Sequence, residues 1–346
     1  MTVVLLLMIF GIVVVVVFDF TNGFHDAANM LATIIASRAA TPIQAAVVVS
    51  LFTFLGPIIG GTAVANTIGS FVDISDMQSM PALTIILCGL AGAIGWNVTT
   101  WLFGLPTSSS QALVGGLVGA VVVSAGPDHV VWGATELAAG RFSGVTKILG
   151  ALLLSPLLGF FLGWLVHRMM RFALQGARPS ANRYLRWLQW STTAVLAFSH
   201  GTNDAQKGMG IIALILVVGG ASDTFYVPFW VVLASSSAIT LGTLVGGWRI
   251  VRTLGFGLYK VRPLHALDAQ LTSASVILAA SAFGAPVSTT QVVSTAIMGI
   301  GASEHPRMVR WKRAREIVGT WFITMPGAAL ISSLTYGLTY LANGFA

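Results

Sequence analysis

Two polar motifs occur twice in this chain, in the same order and at nearly the same spacing. The first, Phe20-Thr-Asn-Gly-Phe-His-Asp26-Ala-Ala-Asn29, has its counterpart in Phe198-Ser-His-Gly-Thr-Asn-Asp204-Ala-Gln-Lys207. The second, Pro106-Thr-Ser-Ser-Ser-Gln111, is matched by Pro286-Val-Ser-Thr-Thr-Gln291. Each copy sets a carboxylate in an apolar stretch and then a Pro-hydroxyl-Gln cluster some way downstream. Duplicated polar clusters inside hydrophobic segments are the mark of a repeat-built membrane transporter. Pro42 with Gly60-Gly61, and Pro228 with Gly246-Gly247, repeat in register with them.

Composition fixes the solvent. Hydrophobic residues make up 55% of the 346 residues and charged residues only 8%, against roughly 25% charged in soluble domains. Apolar runs long enough to cross a bilayer recur along the chain. The run from Val3 to Phe18 lacks a basic leader and continues into the first motif, so it reads as part of the mature fold rather than a signal peptide. The net charge of +7 sits in connectors between apolar segments, so no nucleic-acid partner is expected. Cys88 is the single cysteine, and no Cys/His metal spacing is present.

Lys and Arg concentrate in three connectors, Arg168 to Arg186, Arg249 to Arg262 and Arg307 to Arg315, with Arg38 in an early loop. The connectors Asp73 to Met80, Ala125 to Arg141 and Gly219 to Thr224 are acidic or nearly neutral. The positive-inside rule places the first set in the cytoplasm and the second outside. Threading between them predicts crossings at about 1–35, 43–64, 147–167, 188–219, 228–248 and 317–341. The pairs 82–103 with 107–124 and 268–283 with 286–300 must each return to the side they left. They read as full helical pairs or as re-entrant hairpins, and the second, with halves of about sixteen residues, short of the roughly 20 needed to span, favours a hairpin. In this path the first repeat starts outside and the second inside, so the repeats are inverted. The predicted fold class is therefore an all-α polytopic membrane protein, with two inverted-topology repeats, broken helices and two re-entrant hairpins. The single transporter domain divides into repeat one at 1–124, a linker with one crossing at 125–187, repeat two at 188–300 and a C-terminal helix at 317–341.

A carboxylate near the bilayer centre costs about 2.5–3.5 kcal/mol on insertion scales, so Asp26 and Asp204 need partners. Thr21-Asn22-Gly23 and His200-Gly201-Thr202-Asn203 suggest local unwinding that frees backbone groups for an ion. The plainer alternative is a buried Asp satisfied by neighbouring amides, which explains one copy better than two. Thr107, Ser108, Ser109, Ser110 and Gln111, with Ser288, Thr289, Thr290 and Gln291, supply hydroxyls and amides. With Pro106 and Pro286 expected in the first helical turn, two helix N-termini would face each other as a donor-rich cage for a tetrahedral oxyanion. Ser and Thr are also ordinary helix caps, but capping alone does not account for both clusters ending in Gln.

Asn22-Gly-Phe-His-Asp-Ala-Ala-Asn29, Gly201-Thr-Asn-Asp-Ala-Gln-Lys207 and the two Pro-hydroxyl-Gln clusters resemble the signatures of the inorganic phosphate transporter (PiT) family. The resemblance covers essentially the whole chain. It implies phosphate symport coupled to protons or sodium across the inner (cytoplasmic) membrane, and a homodimer; no cofactor is implied beyond a bound sodium ion or a co-transported divalent metal. On this resemblance the cation ligands map to Asp26, Asn29, Asn203 and Asp204, with Asn22 and His25 beside them; Asp26, Asn29 and Asp204 are the candidate sodium ligands. Phosphate ligands map to Ser108, Ser109, Gln111, Ser288, Thr289 and Gln291. The sodium-coupled pattern carries Asn at the places of His25 and Lys207. Lys207, as an ammonium beside Asp204, takes the place of a bound cation and attracts phosphate, as in the bacterial low-affinity, proton-coupled type.

His25 is read first as a structural imidazole bonded to a backbone carbonyl, and second as a proton relay. His200 carries the same ambiguity, while His129, His167, His265 and His305 carry no site signal. An aspartyl hydrolase dyad would leave the duplicated hydroxyl-Gln clusters without a role, so no enzymatic activity is expected. A permease for sulfate or another tetrahedral oxyanion is the alternative function.

Overall fold

The computed structural model describes residues 2–74 and 76–342. They form thirteen α-helices and no β-strand. In chain order these are α1 (Thr2–Ala36), α2 (Pro42–Ile59), α3 (Ala63–Gly69), α4 (Ser79–Leu102), α5 (Ser109–Ser124), α6 (Ala134–Ala138) and α7 (Gly144–Ala173). There follow α8 (Ala181–Val218), α9 (Phe229–Val245), α10 (Trp248–Gly257), α11 (Pro263–Ala282), α12 (Thr289–Glu304) and α13 (Trp311–Ala342). Five of them, α1, α2, α4, α7 and α13, are long and apolar enough to cross a membrane, and α9 with α10, bent by 68° at their break, are so only when taken together. Large apolar side chains on α1, α7 and α13 point outward, among them Phe10, Phe161 and Phe322, as a lipid-facing surface requires. The chain is a multi-pass helical membrane protein.

Local chemistry explains where the helices start and stop. Thr41 caps α2: its hydroxyl accepts the Gln44 N–H at 3.4 Å, and Gln44 Oε1 accepts the Thr41 N–H at 3.0 Å. The repeated Gly pairs break the helices that follow. Gly61, at φ +78°, separates α2 from α3, and Gly246, at φ +68°, separates α9 from α10.

The helices carrying the two carboxylates are not broken. α1 runs unbroken through Asp26 and α8 through Asp204, contrary to the unwinding expected there. The glycines in these motifs serve close packing instead. A Cβ on Gly23 would collide with the Ile239 carbonyl of α9, and one on Gly201 with the Thr53 carbonyl of α2. The contacts are returned: a Cβ on Gly56 would meet the Phe198 carbonyl, and one on Gly242 the Phe20 carbonyl. α1 thus lies against α9, and α8 against α2, in matching fashion.

The hairpins α4–α5 and α11–α12 follow the same reciprocity. The turn of the first touches α10, where Arg249 donates to the Leu102 carbonyl at 2.8 Å and Thr253 to the Gly104 carbonyl at 3.1 Å. The turn of the second touches α3, where Thr67 donates to the Gly284 carbonyl at 2.7 Å. Two shallow cavities mark these places, of about 410 Å³ beside Phe103 and Arg249 and about 340 Å³ beside Phe283 and Lys147. Two boundaries differ from expectation. α11 is 20 residues long, because Pro263 opens it well before residue 268. Pro106 and Pro286 precede their helices rather than opening them, and Ser108 and Ser288 are the caps.

Candidate functional site

Asp26 is buried, and hydroxyl donors surround its carboxylate. Thr289 Oγ1 donates to its Oδ2 at 3.0 Å and Thr290 Oγ1 to its Oδ1 at 3.0 Å. Ser109 reaches Oδ2 from the other hairpin at 3.4 Å. Asn29, one turn along α1, donates to the Thr290 hydroxyl at 2.9 Å and the Thr289 hydroxyl at 3.3 Å. The beginnings of α5 and α12 therefore converge on one carboxylate. His25 Nδ1 stands 3.1 Å from Asp26 Oδ1, and its Nε2 faces the Thr107 and Thr100 hydroxyls at 3.3 and 3.4 Å. The ring bonds side chains of the site rather than the backbone carbonyl expected for a structural imidazole.

Asp204 is satisfied differently. Lys207 Nζ lies 2.7 Å from Asp204 Oδ1, and neither side chain is exposed. The ammonium donates a second bond to the Val287 carbonyl at 3.2 Å. Ser110 donates to that same carbonyl at 2.9 Å, so one peptide oxygen ties α8 to both hairpins. His200 Nδ1 is 3.6 Å from Asp204 Oδ2, and side-chain atoms of Asp26, His200 and Asp204 gather within 4.8 Å of one another. Helical spacing makes this possible: Lys207 and His200 stand three and four residues from Asp204, on one face of α8.

Asn203 lies at the site but turns to the second hairpin. Its Oδ1 accepts the Val287 N–H at 3.2 Å, and its amide donates to Ser281 Oγ at 2.9 Å and the Ala285 carbonyl at 3.2 Å. Ser108 and Ser288 accept the N–H groups of Gln111 and Gln291, at 3.1 and 3.3 Å, as caps. The Gln111 and Gln291 side-chain carbonyls and the Asn29 carbonyl are buried without a partner among the described residues, and so are both polar atoms of Asn22. All sixteen residues singled out in the sequence are buried. The α5 and α12 N-termini together offer hydroxyls and the positive ends of two helices, the chemistry that holds an oxyanion.

Comparison with known proteins decides the family. The phosphate transporter family matches the chain twice, over residues 22–179 and 175–332. The chain belongs to the phosphate transporter family.

Relatives agree with that placement. A probable low-affinity inorganic phosphate transporter of Rhizobium meliloti (strain 1021) is 42% identical over 94% of this chain and 94% of its own length. One of Bacillus subtilis (strain 168) is 37% identical over 97% of this chain and 98% of its own. Among solved structures, the sodium-dependent phosphate transporter superposes with a TM-score of 0.84 at 22% identity, covering 97% of this chain and 99% of that one. That likeness establishes the shared fold.

The structure of this family member also brings up residues that sequence reasoning passed over. Asp19 is fully buried on α1, with the Ser235 hydroxyl as its hydrogen-bonding neighbour. A Cβ on Gly208 would collide with Asp19, so it lies directly beside the Lys207 turn of α8. It stands seven residues before Asp26, two helical turns away on the same face, a spacing that could have flagged it. Thr100, which accepts from Thr107 at 2.9 Å, carried no signal because it belongs to no repeated motif. His167 and His265, dismissed as helix-end residues, are buried and face each other with ring centroids 5.1 Å apart.

Proposed function

We propose that this protein is a secondary transporter that brings inorganic phosphate across the cytoplasmic membrane together with protons, by alternating access around the Asp26–Asp204 cluster. The observation that carries the reading is the Lys207–Asp204 pair at 2.7 Å, buried in the middle of the cluster. In this reading the ammonium replaces one coupling cation, and Asp26 remains as the carboxylate that a proton or a sodium ion must neutralise. Asn29 and Asn22 line that position, and His25 links it to Thr107 and Thr100. The two repeats are inverted, with the hairpins entering from opposite faces, and the chain works as a homodimer.

Coupling follows from a shared set of donors. Phosphate is held by Thr107, Ser108, Ser109, Ser110 and Gln111 from one hairpin and Ser288, Thr289, Thr290 and Gln291 from the other, with Lys207 supplying charge. A hydroxyl has one proton to donate. The Thr289 and Thr290 hydroxyls now spend theirs on Asp26, so donating to phosphate strips that carboxylate of two donors and leaves it His25 and Ser109. A hydrogen bond lost by a charged group costs about 1.5–3 kcal/mol, and phosphate beside it adds like-charge repulsion. A proton on Asp26 removes both penalties. Anion and cation therefore bind best together, which is the thermodynamic requirement of a symporter.

Sulfate is disfavoured as the physiological substrate by the family placement. Proteoliposome uptake of radiolabelled phosphate, with proton gradient, sodium and magnesium varied independently, tests the reading. Uptake driven by a pH gradient without sodium is expected. Strict sodium dependence would overturn proton coupling, and efficient competition by sulfate would overturn the substrate.

A further inference from the structure

A second cluster of titratable side chains lies away from the Asp26–Asp204 centre, where α7, α11 and α12 meet beside the Arg-rich connectors. It consists of His167 near the end of α7, His265 in the first turn of α11 and Glu304 at the end of α12. The ligand atoms of the three residues all fall within 4.8 Å of one another. We propose that His167, His265 and Glu304 form a binding site for one divalent transition cation of the zinc class, which fastens α7 to the second hairpin.

Each ligand is prepared by a neighbour. His167 Nδ1 lies 2.7 Å from Asp268 Oδ2, both residues being buried. Donation from Nδ1 to that carboxylate leaves Nε2 as a lone pair, and Nε2 is buried with no hydrogen-bond partner among the described residues. A carboxylate behind an imidazole whose other nitrogen is open is the arrangement that orients metal-binding histidines. A buried acceptor without a donor is also a cost that a bound cation removes. The Glu304 carboxylate is held by the Tyr259 hydroxyl at 2.8 Å and lies 3.8 Å from Arg262. His265 Nε2 is 2.5 Å from Glu304 Oε2, so two of the ligand atoms already meet.

His265 requires a change of tautomer. Its Nδ1 accepts the Arg262 N–H at 3.1 Å, which puts the ring proton on Nε2. The Lys260 carbonyl lies against the same ring as an alternative acceptor. Moving the proton to Nδ1, where it donates to that carbonyl in exchange for the Arg262 N–H bond, frees Nε2 for the metal without net proton release. A tetrahedral ion bonded at about 2.1 Å spaces its ligands by about 3.4 Å, so closing the site takes shifts on the order of 1 Å. Two imidazoles, one carboxylate and a remaining position for water match zinc and its first-row neighbours better than magnesium or calcium, which take oxygen ligands.

The test uses the full-length protein in detergent, stripped with chelator and then titrated with Zn²⁺ against a chromogenic competitor, with thermal unfolding followed in parallel. One equivalent of zinc, bound at micromolar or lower concentration and raising Tm, is expected. Co²⁺ in its place should give the visible bands of a four-coordinate nitrogen–oxygen site. His167→Ala and Glu304→Gln should abolish both signals, and Asp268→Asn should weaken zinc by about 10- to 100-fold. Asp26→Asn, in the other cluster, should retain the equivalent. If either ligand variant fails to fold, the Co²⁺ spectrum of the unaltered protein decides. A folded protein that takes up no zinc, an all-oxygen six-coordinate spectrum, or loss of the equivalent in Asp26→Asn would each overturn the site. None of these measurements depends on phosphate transport.

Discussion

The two copies of the acidic motif occupy equivalent places on α1 and α8 yet solve the same physical problem in opposite ways. Asp26 is kept in the interior by hydroxyl donors from two other helices, α5 and α12, whereas Asp204 is kept there by a charge from its own helix. Neutral donors can be withdrawn and given to another anion, whereas a covalently tethered ammonium stays in place. In the proposed cycle the first copy gains and loses a cation, and the second holds a constant charge near the substrate. The difference at one position, Asn29 against Lys207, is what the proposal takes to divide those roles.

The hardest way to break this comparison is to neutralise the exchangeable side. Asp26→Asn should reduce phosphate accumulation to that of vesicles without the protein, while size-exclusion profile and thermal unfolding stay close to those of the unaltered chain. Wild-type uptake in this variant would undo the division of roles.

Removing the fixed charge should act on stability as well as on transport. Lys207→Met leaves Asp204 as an unpaired buried carboxylate, at a cost of about 3–5 kcal/mol, and Tm in detergent should fall steeply. The double variant Lys207→Met with Asp204→Asn should recover most of the lost Tm but not uptake. Failure of the double variant to recover stability would mean that the pair is not the main partner of either residue. Lys207→Asn restores the residue of the first copy, and it should make uptake respond to sodium.

A smaller effect tests whether the copies are packed alike. Gly23→Ala and Gly201→Ala each drive a methyl into a carbonyl of the facing helix, Ile239 and Thr53 respectively. Overpacking of this kind costs about 1–3 kcal/mol. The two variants should lose similar stability in thermal unfolding, and a large difference between them would show that the reciprocity is not energetic.

Much of this frame was legible in the chain because polar residues are rare in it and therefore informative. The Pro-hydroxyl-Gln clusters stood out for that reason, and so did the Gly pairs that break α2 from α3 and α9 from α10. The integrity of α1 and α8 was not legible. Gly, Asn and Thr near a buried Asp fit an unwound helix as well as a tightly crossed one, and only the facing carbonyls of Ile239 and Thr53 distinguish them. Asp19 was hidden by the opposite effect. It belongs to no repeated element, so a reading built on duplication passed over a buried carboxylate two turns from Asp26. His167 and His265 were missed because their partnership joins α7 to α11 across about a hundred residues, with no spacing to announce it.

The most discriminating small effect concerns a single hydroxyl. Thr290 Oγ1 donates to Asp26 Oδ1 and accepts from Asn29, so Thr290→Val removes one link between the second hairpin and the first motif while nearly preserving shape. A lost hydrogen bond to a charged group is worth about 1.5–3 kcal/mol, but the free protein loses its Thr290–Asp26 bond too. The apparent KM for phosphate should therefore rise by less than the roughly 10-fold that the anion's bond alone would give. If the hydroxyl also serves the carboxylate, the pH dependence of uptake should move with it. Ser110→Ala, whose hydroxyl bonds the Val287 carbonyl rather than Asp26, should leave that pH profile in place. A shift in KM with no shift in pH profile would confine Thr290 to the anion and separate the two ligands. Parallel movement of both quantities in Thr290→Val, and neither in pH for Ser110→Ala, locates the coupling in the donors that Asp26 and phosphate share.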